Sequence, residues 1–238
     1  MADPSSSDCG GGGNFSGFYE TWFEQLQQLV RQLRMCPNPP TSHDHRLAIS
    51  RLVQSIMSHY ADYYQVKSAA AERDVLLMFM APWASSLERS LHWIAGWRPT
   101  TLFHLVYTES SILFESHIVD ILKGRNTGDL GDLSPTQFRR VSELQCDTVR
   151  EENAITDELS EWQDGASDLV GCSTEDVERK VSKLVGILRK ADHLRLKTVR
   201  QLVELLTPQQ AVEFLIAAAE LQFGVRGWGQ EQDSLRRC

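Results

Sequence analysis

Apolar side chains recur at steps of three and four through nearly every segment of this 238-residue chain, and that spacing is the signature of amphipathic helices. Phe18, Trp22, Leu26, Leu29, Val30 and Leu33 open the pattern. Cys36-Pro-Asn-Pro-Pro closes it, because proline lacks a backbone donor and clashes with the preceding turn. A second stripe starts near Asp44 and uses Leu47, Leu52, Val53, Ile56, Met57, Tyr60, Tyr63 and Tyr64. Ala69–Ala71 and Val75–Met80 prolong it to Pro82. Another helix is expected from about Thr100 to Lys123, followed by a flexible Gly124–Gly131 loop. Ser134-Pro-Thr-Gln137 then supplies an N-cap serine, a proline at the first helical position and a glutamine at the third. That helix is expected to end at Gly171 and a new one to run from Ser173 to about Leu206. Thr207-Pro-Gln-Gln210 repeats the start signal, and the last helix is expected to stop before Gly224 and Gly227. Strand alternation is sustained nowhere. The expected fold class is all-α, a single multi-helix bundle-like domain of long antiparallel helices over residues 15–230. A disordered Gly/Ser tail is expected at 1–14 and a short polar tail at 231–238.

One stretch, Pro82–Tyr107, holds three of the six tryptophans (Trp83, Trp93, Trp97). Aromatic rings bury large apolar areas, so this density marks a place where several elements meet. Ser85 followed by Glu88 reads as a capping box. Leu87, Leu91, Ile94 and Ala95 then fall on one helix stripe, Gly96 permits a terminating turn and Pro99 forbids continuation from Arg98. Trp97 and Arg98 are expected to stack as a cation–π pair or to meet a partner.

Charge is distributed unevenly. Twelve acids stand against one base, Arg150, between Glu143 and Glu178; eight bases stand against one acid, Asp192, between Arg179 and Arg200. Two helices joined by a short turn pack antiparallel, and opposite flanks of this kind select that pairing. The competing reading is a basic surface for an acidic partner. The residues expected on a partner surface are therefore Trp97, Arg98, Arg189, Lys190, Arg195 and Lys197. The overall net charge of −8 argues against a protein built throughout to bind nucleic acid.

Little in the chain suggests catalysis. The five cysteines are scattered, with no CxxC pair, and read as reduced thiols. His43-Asp-His45 has no third ligand nearby in sequence, so a solvated loop is expected rather than a metal site. No HExxH, GxSxG, phosphate-binding or dinucleotide-binding fingerprint occurs. No apolar run approaches the length of a membrane span, and the N-terminus lacks the pattern of a signal peptide. Gln25–Arg34 is mildly basic and amphipathic, and reads as a core-facing helix.

Trp83, Ser86-Leu-Glu88-Arg, Leu91-His-Trp93-Ile-Ala-Gly96 and Arg98-Pro99 resemble the signature of the plant DOG (delay-of-germination) domain. The same domain forms the C-terminal half of TGA-type bZIP transcription factors. The resemblance extends through Ser58-His-Tyr60, Lys67-Ser-Ala-Ala, Asp74-Val75, Leu133-Ser-Pro-Thr-Gln137, Ala191-Asp192-His-Leu194-Arg195-Leu-Lys-Thr198 and Leu206-Thr-Pro-Gln-Gln-Ala211. Only a short Gly/Ser stretch precedes Phe18, with no basic helix or heptads, so the chain resembles a stand-alone member. The resemblance implies a non-enzymatic regulator, nuclear and/or cytoplasmic, linked to transcription or to seed-dormancy and abscisic-acid signalling. Its implied partners are proteins: phosphatases, transcriptional coactivators or bZIP factors, with a homodimer left open. Haem is held in this family by two histidines just before a Trp-Gly pair. Aligning on Trp228-Gly229 puts Gln222 and Arg226 there, neither an ordinary axial ligand, so no haem is expected at that place. Two rival readings are direct DNA contact through the Arg179–Arg200 helix and a lipid- or haem-type small-molecule sensor.

Overall fold

A computed structural model describes residues 11–37, 40–125, 127–171 and 173–236. Eight α-helices follow one another among these residues, with no strand. They are α1 (Gly11–Arg34), α2 (His43–Arg73), α3 (Val75–Met80), α4 (Ser86–Ser90), α5 (Thr101–Leu122), α6 (Pro135–Asp164), α7 (Thr174–Leu205) and α8 (Pro208–Leu235). Short 3-10 turns lie at Leu130–Asp132 and Gly165–Leu169.

The start signals act as their chemistry dictates. Capping boxes form at Ser85/Glu88, Ser134/Gln137, Ser173/Asp176 and Thr207/Gln210, each pairing side chains with otherwise orphaned backbone N–H groups. Several endings differ from those expected. Asp74 interrupts the long second helix: its N–H caps α2 and its carboxylate accepts from Leu77 N to start α3. The helix in the aromatic stretch stops at Ser90, and the chain beyond it turns through left-handed backbone at Ile94 and Ala95 (φ 49° and 55°). α6 ends at Asp164, before the Gly165–Leu169 turn. α8 runs on through Gly224 and Gly227 to Leu235. A glycine inside a helix costs only about 1 kcal/mol, which tertiary packing overrides here. At the other end, α1 takes in residues 11–14; the rest of the expected tail, 1–10, lies outside the described residues, as do 237 and 238.

Antiparallel pairing is visible in the residue pairs. Lys190 meets Glu158 and Lys197 meets Glu151, so α6 and α7 run in opposite directions with their acidic and basic flanks facing. Phe15 and Trp22 both pack on Tyr63, while Trp22 Nε1 donates to His59 O, setting α1 against α2. Phe23 with Phe223, and Glu20 with Arg226, set α1 against α8. Lys67 with Asp192, and Ser68 with Arg189, set α2 against α7. One core results, with Leu26, Ile56, Phe103, Leu188, Leu202, Phe214 and Leu215 essentially inaccessible.

Candidate functional site

Rings from three elements enclose a cavity of about 120 Å³. Tyr19 and Trp22 come from α1, Tyr60, Tyr63 and Tyr64 from α2, and Trp83 and Trp97 from the segment around α4. Helical spacing places the three α2 tyrosines together, and Trp22 braces them by stacking on His59 (5.0 Å, 4°) and packing at a tilt on Tyr63 (4.7 Å, 39°). Burial pushes the phenols of Tyr60, Tyr63 and Tyr64 upward, so all stay protonated at neutral pH. All three side chains line the cavity.

Two buried ionic clusters hold the walls. In the first, Lys67 Nζ donates to Asp192 Oδ1 (2.9 Å) and to Ala95 O (2.7 Å). Arg195 also pairs with Asp192, and its guanidinium donates to Trp93 O, Ile94 O (2.9 Å) and Trp97 O (2.6 Å). The left-handed backbone at Ile94 and Ala95 brings these carbonyls to bear on the two cations. Strain of this kind persists where surrounding contacts over-determine it. Lys67 is pushed down to about 8, chiefly by burial, with Asp192 opposing and Arg195 reinforcing the shift. His92 is pushed down to about 4 by burial and then by Lys67, Arg195 and Arg89. In the second cluster, buried Arg226 lies over Tyr19 and Phe23 (4.9 Å each) and reaches Glu20 (2.6 Å), Trp83 O (3.2 Å) and Glu88 (3.5 Å). Glu88 accepts from Tyr19 (3.0 Å) as well as from Ser85 N (2.7 Å). The side chain that closes the α4 capping box therefore also anchors α1 and α8.

The expected surface residues part company. Arg195 is buried at 4% exposure and belongs to the ion cluster, so it offers nothing to a partner. Trp97 lines the cavity half-buried. Arg98 is exposed, yet its guanidinium lies over Trp93 (5.8 Å) rather than Trp97, and it pairs with buried Glu152 (3.2 Å). Arg189 engages Glu72 and Ser68, Lys190 engages Glu158 (2.7 Å), and Lys197 engages Glu151 (2.6 Å). These α7 cations are matched within the chain. Gln222 borders the cavity, and Arg226 is committed to the second cluster. Among the described residues no group of three or more His, Cys, Asp and Glu side chains is arranged to hold a metal ion.

Sequence reasoning missed Lys67 and Asp192 as a buried pair, and it missed one surface. A signal for Lys67 was present: Ile56, Tyr60, Tyr63, Lys67 and Ala70 follow strict four-three spacing, which places a lysine on the buried stripe. The missed surface is the second half of α5. Ile112, Phe114, Ile118, Val119 and Leu122 are exposed within one half of the helix circumference, with exposed Phe138 of α6 nearby. Val119 is 58% and Leu122 80% exposed. Contiguous apolar surface of this kind on a helix marks a place that a partner covers.

Comparison with known proteins fits this architecture. The sequence profile described as "Seed dormancy control" matches residues 25–108. That span covers α2, the aromatic stretch and most of the cavity-lining tyrosines and tryptophans. Protein DOG1-like 4 of Arabidopsis thaliana is 32% identical over 234 residues, covering 92% of this chain and 93% of that protein. The chain belongs to the DOG1-like family. Protein ZW2 of the same plant is 30% identical, covering 90% of this chain and 96% of its own length. Transcription factor TGA7 is 27% identical across 91% of this chain, which corresponds to 56% of that longer protein. A stretch similar to this chain thus makes up about half of a longer protein named as a transcription factor. No helix among the described residues is long and apolar enough to cross a membrane.

Proposed function

We propose that this DOG1-like protein is a non-enzymatic regulatory module that works by binding other proteins. The exposed apolar half of α5 carries the reading, because that much uncovered aliphatic and aromatic surface is costly in water unless a partner covers it. The similarity to the transcription factor TGA7 supports a place in transcriptional regulation. The proposal places the protein in the nucleus and/or cytoplasm, with bZIP factors, coactivators or phosphatases as partner classes. Direct DNA contact through α7 is disfavoured, since Arg189, Lys190 and Lys197 are already paired with acids. In the same reading Gln222 and Arg226 hold no haem; a Soret band on mixing with haemin, lost on changing His193 or His104, would argue otherwise. The main test compares native protein with an Ile118→Glu/Leu122→Glu variant as bait in plant extracts, with bound proteins quantified by mass spectrometry. Both side chains face solvent, so the variant should keep native helicity while losing the specifically bound proteins. An unchanged set of bound proteins would refute the docking role of α5.

A further inference from the structure

We infer that the aromatic cavity is a binding site for a small organic monocarboxylic acid whose apolar body is the size of one ring. The cavity, about 120 Å³, is close to the engineered ~150 Å³ cavity known to accept benzene. Its walls are flat rings from α1, α2 and the segment around α4, which suit a planar apolar body.

The polar features point to an anionic head. Lys67, Arg195 and Asp192 are all buried, and two cations against one carboxylate leave a local excess of one positive charge. The acid at the cavity wall, Glu88, is paired with buried Arg226, which also holds the exposed Glu20. The Lys67 ammonium has three N–H donors but only two partners, Asp192 and Ala95 O. A buried unpaired donor is costly, and a carboxylate oxygen would satisfy it with a charge-assisted bond. Tyr63 and Tyr64 line the same cavity as Lys67, and their phenol O–H groups can donate to an anionic head. His92 on the same wall is lowered first by burial and then by Lys67, Arg195 and Arg89. An uncharged guest would leave that excess charge and the third Lys67 proton uncompensated.

Benzoate, benzyl alcohol and hexanoate are the probes, titrated into the full chain and followed by calorimetry and tryptophan fluorescence. Benzoate should bind saturably at one site per chain, about tenfold or more tighter than benzyl alcohol, which has the ring without the charge. It should also bind tighter than hexanoate, which has the charge without the ring. Lys67→Met should weaken benzoate about tenfold and leave benzyl alcohol unchanged. Ala218→Leu, which fills the cavity and leaves the ion cluster intact, should abolish binding of benzoate even if Lys67→Met fails to fold. The proposal falls if benzoate shows no saturable binding, if benzyl alcohol or hexanoate binds equally well, or if Ala218→Leu retains benzoate affinity.

Discussion

Asp192 sits between two buried cations, Lys67 and Arg195, and is the one carboxylate holding them together. Removing its charge leaves two like charges in a dry site, so Asp192→Asn should destabilise the protein by about 3–5 kcal/mol. Lys67→Met loses the bonds to Ala95 O and Asp192 but leaves Asp192 and Arg195 as a balanced pair, so its cost should stay below that of Asp192→Asn, at about 2 kcal/mol. Urea unfolding of both variants checks the order; equal costs would show that the cluster does not depend on charge balance. At this scale the sequence was partly legible. The Lys67 and Asp192 segments carry the resemblance to DOG domains, but their partnership spans 125 residues and no local pattern encodes it.

The helices themselves were largely readable, because capping boxes and periodic stripes are local. What the pattern could not supply was how closely two helices approach. At Gly229 of α8 a Cβ would collide with Ser85 Oγ and lie 2.6 Å from Ser85 Cβ, so α4 and α8 meet backbone to side chain. Gly229→Ala should therefore destabilise by about 1–3 kcal/mol despite the better helix propensity of alanine. Thermal melting gives the sign: a rise in Tm would mean the helices separate freely. The same contact explains why a glycine in this last helix is not a stop. The helix continues because its neighbours hold it, with Ser86 donating to Asp233 beyond both expected end points.

Across the whole molecule, α2, α7 and α8 share the ion clusters and the central aliphatic contacts, while α6 packs mainly on α7 and the second half of α5 rests on the Leu130–Asp132 turn with its other face in solvent. Hydrogen exchange should follow that layering. Amides of α2, α7 and α8 should be slowest, those of α6 intermediate and those of α5 beyond Ile112 fastest. Uniform protection over all helices would show that the outer elements unfold only with the core. The sequence by itself determined the all-α class, the helix starts and the antiparallel match of α6 with α7, since each rests on spacing or charge within one stretch of chain. Only the tertiary structure decided that Arg195 turns inward, that the helix after Ser85 stops at Ser90, that tyrosines enclose a cavity and that α5 keeps an uncovered face. Periodicity states which face of a helix is apolar; whether another helix, a cavity or solvent lies against that face depends on where distant segments come to rest.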